Sequence, residues 1–173
     1  MRIAAILLLL MSGAALAAED EVWETVGAWT VRINSDDVSR CFATRVMEDG
    51  SEVQIGTEPT LDGGYFAIYN PAWTHIEDGA EGTVEFNFGS SRFGGDAVGR
   101  IKNGVPGGYV FFDNPAFVQE FAKRQSVKVS GTRGAAFEMD LTGTATAIRT
   151  ILACQDAQPD PAPAAETDPA AEN

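Results

Sequence analysis

Two cysteines, a single histidine and many carboxylates define the chemistry open to this chain of 173 residues. Cys41 and Cys154 are far apart in sequence and form no C-x-x-C arrangement, so they read as the two halves of one structural disulfide and not as a redox pair or reactive thiol. Any Ser-His-Asp arrangement would have to use His75, with Ser35, Ser39, Ser51, Ser90, Ser91, Ser126 or Ser130 as nucleophile. None of these serines sits in G-x-S-x-G. Zinc recruits several imidazoles or thiolates, and one histidine with carboxylates is a poor set once both cysteines are committed. The residue types therefore assign no catalytic residue, no metal and no cofactor.

Carboxylates leave other options. A glycosidase pair can be drawn from Glu77 with Asp96, or from Glu85 with Glu138, but nothing in the spacing sets the separation that such chemistry needs. Glu85 and Glu138 stand beside apolar residues in strand-like runs, where a period of two turns them to solvent. Asp36-Asp37 and Glu77-Asp78 offer oxygens for calcium without matching an EF-hand loop. Arg92, Arg100, Lys102 and Arg133 could gather as an anion site, though no phosphate-cradling loop accompanies them. The most distinctive run is 65–75, Tyr-Phe-Ala-Ile-Tyr-Asn-Pro-Ala-Trp-Thr-His. Tyr65, Tyr69, Trp73 and His75 form the candidate interaction patch, since aromatic rings with polar tips suit contact with protein or carbohydrate. The same rings also suit a small core.

The chain begins with Arg2, an apolar run from Ile3 to Met11, and Ala15-Leu16-Ala17 at the position of a signal-peptidase site, so residues 1–17 read as an export signal. Residues 3–18 carry no charge, short of the roughly 20 that a helix needs to span a bilayer. A lipid anchor would need a cysteine directly after the cleavage site, and the first is Cys41. Export to the periplasm or beyond also favours the disulfide. From residue 155 to 173 the composition turns to Pro, Ala and acids (Asp156, Asp160, Glu166, Asp168, Glu172) with no base, which reads as a disordered acidic tail. Residues 18–154 are left as a single domain. The net charge of −13 argues against nucleic acid and anionic membranes as partners, because phosphate binding needs clustered Lys and Arg. A periplasmic or secreted protein, or a cell-wall component, remains compatible.

Short strands separated by Gly, Asp, Asn and Pro make up most of that domain. Trp29-Thr-Val31-Arg-Ile33 alternates clearly; a second strand holds 41–46, Glu48-Asp49-Gly50-Ser51 is a hairpin turn, and 53–55 returns. Further strands are expected at 65–69, 83–88, 97–101, 109–112, 127–129 and 136–141, with Gly94-Gly95 and Gly107-Gly108 read as turns and, as the alternative, as bulges or close crossings. Asn114-Pro115 opens one helix, with Phe117, Val118 and Phe121 as its apolar face. A second helix follows Thr142-Gly143-Thr144 and runs to about Cys154, its stripe formed by Ala147, Ile151 and Cys154 beside Ile148 and Leu152. The expected fold is α+β, mostly antiparallel β as a sandwich or partly open barrel, with two short helices and the last one disulfide-tethered to the sheet.

Gly27-Ala-Trp29-Thr-Val31, Cys41, and Phe137-x-x-x-Leu141-x-Gly143-x-x-x-Ala147-Ile148-x-x-x-Leu152-x-Cys154 give the chain a resemblance to small secreted alphaproteobacterial proteins. The closing pattern is distantly similar to that of the invasion-associated locus B family. The resemblance implies a β-rich periplasmic fold and carries over no catalytic residue; members of that family often hold additional cysteines, which this chain lacks. The reading that follows is an exported, non-catalytic envelope binding module. A carboxylate-dependent hydrolase of an envelope polymer, or an inhibitor of a secreted enzyme using the loop 103–108, are the alternatives.

Overall fold

The computed structural model describes residues 20–34, 40–58, 61, 63–132, 134 and 136–159. The export signal, Ser35, Asp36-Asp37, Ser39, Arg133 and the tail beyond 159 lie outside the described residues. The elements are β1 (Glu21–Val26), β2 (Trp29–Ile33), β3 (Cys41–Val46), β4 (Glu52–Glu58), β5 (Gly63–Tyr69), β6 (Glu81–Asn87), β7 (Arg92–Lys102), β8 (Val105–Phe112), α1 (Pro115–Lys123), β9 (Ser126–Gly131), β10 (Ala136–Asp140) and α2 (Thr144–Asp156). The ten strands form one antiparallel sheet in the order β1-β2-β3-β4-β5-β8-β7-β6-β9-β10. Because β1 pairs only with β2 and β10 only with β9, the sheet stays open and is not a barrel.

Its two halves nonetheless face each other. Phe66 of β5 stacks on Phe137 of β10 at 6.2 Å between ring centroids and meets Phe86 of β6 edge-on at 5.1 Å. Arg45 of β3 donates a hydrogen bond to the Asp140 carbonyl at the end of β10, at 2.9 Å. The core between the halves takes Trp29, Val53, Phe66, Phe86 and Met139 from the strands, Phe117 and Phe121 from α1, and Ala147 and Ile151 from α2. Side chains point alternately to opposite faces along a strand, so this inner face has an outer counterpart. There a second, smaller cluster joins Phe42, Tyr65 and Ala67 with Tyr69 and Tyr109.

Local signals explain most element boundaries. The Asn114 side chain accepts from the Ala116 N–H at 3.0 Å and caps α1, with proline at its first position. Helix α2 buries Ala147, Ile148, Ile151 and Cys154, whereas Leu152 is exposed. It also runs past Cys154 to Asp156, because Gln155 is tied down: its Oε1 accepts from the Cys41 N–H at 2.9 Å and from the Thr57 hydroxyl at 2.6 Å.

One expectation is corrected. Gly94-Gly95 and Gly107-Gly108 are not turns but lie inside β7 and β8, the first pair extending β7 to 11 residues. At Gly107 the reason is close approach, since a Cβ there would overlap the Ile68 carbonyl oxygen. In the loop 103–108, Asn103 and Gly104, both with positive φ, form the exposed tip of the β7–β8 hairpin, and Val105 onward belongs to β8.

Candidate functional site

Cys41 and Cys154 are bonded, with sulfurs 2.00 Å apart, Cα atoms 6.0 Å apart and no exposure of either residue. The bridge ties β3 to α2, and the Gln155 bonds to Cys41 and Thr57 join the same two elements and β4 beside it. Both cysteines of the chain are thus oxidised and inside the core, with no free thiol.

The residues considered for catalysis are scattered. His75 is exposed on the loop between β5 and β6. The Ser51 hydroxyl donates to Asp49 and accepts from Asn70, while the Ser91 hydroxyl donates to Glu120, so neither faces an imidazole. Glu77, Asp96, Glu85 and Glu138 are all exposed, the last two lying near Arg92 and Lys128. Asp78 accepts from the Ile101 N–H at 3.0 Å. Among the described residues no three His, Cys, Asp or Glu side chains are grouped to hold a metal ion, and no helix is long and apolar enough to cross a membrane. A general acid needs a raised pKa. The described carboxyls with a shift move the other way: hydrogen bonds from Arg124 and Ser91 lower Glu120, and those from Thr142 lower Asp140.

The aromatic patch is divided between the two faces of the sheet. Trp73 turns inward, 6.3 Å from the Phe137 ring, and with Ile76 closes an apolar cavity of about 80 Å³ lined by Ile68, Val84 and Phe137. Tyr65 and Tyr69 are on the outer face, where Tyr109 of β8 joins them. Tyr65 and Tyr109 stack at 5.3 Å. Gly56, opposite Tyr65 in the register, makes room for this: a Cβ there would overlap the Tyr65 ring and approach Phe42 Cβ to 2.8 Å. The sequence pattern misses Tyr109 because β5 and β8 are neighbours only after two intervening strands have been laid down beside them.

Charged residues frame the rings. The Tyr109 hydroxyl donates to Glu58 at 3.3 Å, and buried Glu58 pairs with Arg40 at 3.2 Å. Lys102 lies 5.7 Å above the Tyr69 ring and pairs with Glu52 at 2.8 Å, while Gln54 donates to the same carboxylate at 2.7 Å. Burial alone would raise Glu52, but the bonds from Lys102 and Gln54, with the charges of Lys102 and Arg32, hold it below the usual carboxylate range. Burial raises all three phenols, Tyr109 to about 12. Like-charged neighbours add to this: Tyr69 and Tyr109 around Tyr65, Glu52 beside Tyr69, and Glu58 beside Tyr109. At neutral pH the site is therefore three neutral phenols among fixed ion pairs. Of the four bases proposed as an anion site, Arg100 and Lys102 adjoin this surface and Arg92 pairs with Glu85 at the far end of β7.

The fold places the chain among open antiparallel sheets with two helices packed on the inner face and the last helix disulfide-bonded to the sheet. Among solved structures it is similar to the crystal structure of invasion associated protein B from Bartonella henselae, with a TM-score of 0.54 and 14% sequence identity over 80% of this chain and 99% of that one. No family model matches the chain, and no curated protein matches it.

Proposed function

We propose that this chain is an exported, non-catalytic module that binds a protein or cell-wall component of the envelope, through the outer face carrying Tyr65, Tyr69 and Tyr109. The observation that carries this reading is the tyrosine cluster itself. Both helices pack into the core on the other side of the sheet, and among the described residues no element covers the face that carries these rings with their polar tips. Tyrosines in such a setting supply contact area at small entropic cost, as at many binding surfaces. The buried disulfide, the leader-like residues 1–17 and the fold likeness to invasion associated protein B support a place outside the cytoplasm. The acids drawn as hydrolase pairs, Glu77 with Asp96 and Glu85 with Glu138, are all exposed and give that alternative no support.

A photo-crosslinking amino acid placed at position 69, with a second at position 138 as control, tests the surface in cells. The expected result is a discrete adduct from position 69 only, abolished by Tyr109→Ala in the same chain. Equal adducts from both positions, or none from 69, would overturn the assignment. N-terminal sequencing of protein recovered from the periplasm should begin near Ala18; an uncleaved Met1 would remove the export step.

A further inference from the structure

At the helix end of the fold, α1, α2 and the ends of β4, β5 and β8 enclose a cleft of about 500 Å³. Its walls are Val118 and Phe121 from α1, Ile148 and Leu152 from α2, and Ile55 and Phe112 from the sheet. Gly63 and Gly64 line it with backbone in place of side chains. This volume falls within the range of small-molecule sites, roughly 300 to 1,000 Å³. At roughly 30 Å³ per non-hydrogen atom it would admit a body of about fifteen such atoms. The lining is mostly apolar, with Thr57 and Tyr65 as polar residues on the sheet wall and exposed Asp113, Asn114 and Gln119 at one side, and Asp113 is the only charged residue among those lining the cleft. Half-buried Val118 and exposed Leu152 leave apolar surface at the opening.

We infer that this cleft binds a small amphipathic cation, with its alkyl or aromatic body between the two helices and its positive group at Asp113. Two properties of the molecule select that occupant. The walls offer dispersion and water exclusion to a hydrocarbon body but few groups for a polar one. The sign of the head group is set by the single carboxylate at the rim and reinforced by the net charge of −13 on the chain, which attracts cations and repels anions over longer range. Tyr65 borders both this cleft and the tyrosine surface, so the two assignments are told apart at Asp113 and Leu152, which line the cleft and do not belong to that surface.

The probes are decyltrimethylammonium, decan-1-ol and decyl sulfate, each as monomer and at low salt, titrated into the disulfide-intact protein and followed by amide NMR shifts and calorimetry. Shifts should centre on Val118, Leu152 and Asp113. The cation should bind about threefold more tightly than the alcohol, the worth of one exposed charge pair, and the sulfate most weakly. Asp113→Asn should bring cation and alcohol within about 1.5-fold of each other without changing the alcohol's affinity. Leu152→Trp, at a position exposed enough to keep the fold, should fill the cleft and weaken all three by about tenfold or more; Val118→Trp serves if that variant melts early. Shifts centred elsewhere, preference for the sulfate, or tight binding retained in both tryptophan variants would overturn the inference.

Discussion

Removing the Cys41–Cys154 bridge is the perturbation whose size follows most directly from the structure. The bridge closes a loop of 113 residues. In the chain-entropy treatment, a cross-link over that length withholds about 5 kcal/mol of freedom from the unfolded chain. The test variant is Cys41→Ala with Cys154→Ala, which leaves no lone thiol to form mixed disulfides. Both sites are fully buried, so lost sulfur packing adds to the effect and does not offset it. With a urea m-value of about 2 kcal/mol per M, the unfolding midpoint should fall by about 2.5 M. The m-value should also rise, because the freed unfolded chain exposes more surface. Gln155→Ala is the control: it takes an acceptor from the Cys41 N–H and should cost about 1 to 3 kcal/mol with m unchanged. A midpoint shift equivalent to less than about 1 kcal/mol in the double variant would show that packing alone holds α2 on the sheet, and the staple argument would be lost.

Two further outcomes follow from the packing. Gly107→Ala should destabilise by more than about 2 kcal/mol, measured by urea unfolding, because its Cβ would overlap the Ile68 carbonyl oxygen while Gly108→Ala, with open space around it, should cost under about 1 kcal/mol. In alkaline solution, the phenols of Tyr65, Tyr69 and Tyr109 have folded pKa values above their ordinary value near 10, with Tyr109 at about 12. The unfolded chain therefore releases these protons first, so stability is full below pH 10 and declines as pH rises toward and through 12. Thermal melts from pH 9 to 11.5 should fall more steeply for the parent than for Tyr65→Phe with Tyr109→Phe; parallel curves would refute the burial of these hydroxyls.

Where strong local rules act alone, the sequence was readable. Trp29–Ile33 forms a strand with the boundaries its alternation indicates, and Asn114-Pro115 starts a helix, because capping and period-two burial are decided within a few residues. The pairing of Cys41 with Cys154 followed from there being only two cysteines. Strand β1 escaped notice because all but one of its residues are exposed, so no buried face imposes a pattern on Glu21–Val26. The turn reading of the glycine pairs fails because what requires a glycine at 107 is the Ile68 carbonyl and Tyr69 ring of the neighbouring strand, which local sequence does not contain. The patch divided for a similar reason: alternation relates Tyr65 to Tyr69 inside β5, but past Asn70 the chain leaves the sheet and that rule no longer tells which way Trp73 or His75 turns.

The treatment of the outer face by the fold bears on whether it can act as a binding surface. Tyr65 is only 9% exposed although among the described residues no helix lies over its ring cluster, and its neighbours in the sheet are Phe42, Tyr69 and Tyr109 around a space that Gly56 leaves free. Tyr109 is anchored through Glu58 to Arg40, and Tyr69 sits beneath the Lys102–Glu52 pair. Each ring is thus held in one position before any partner arrives, and binding would freeze few additional torsions, each of which costs roughly 0.5 to 1.5 kcal/mol when ordered at an interface. The ion pairs that do this holding also set the sign of the surface. Arg32, Arg40, Arg100 and Lys102 gather around Glu52, Glu58 and Asp78, so a chain of net charge −13 presents its tyrosines in a locally balanced field. An acidic partner repelled by the rest of the molecule meets little net field at this face, and added salt, by screening the repulsion elsewhere, should strengthen its association and not weaken it.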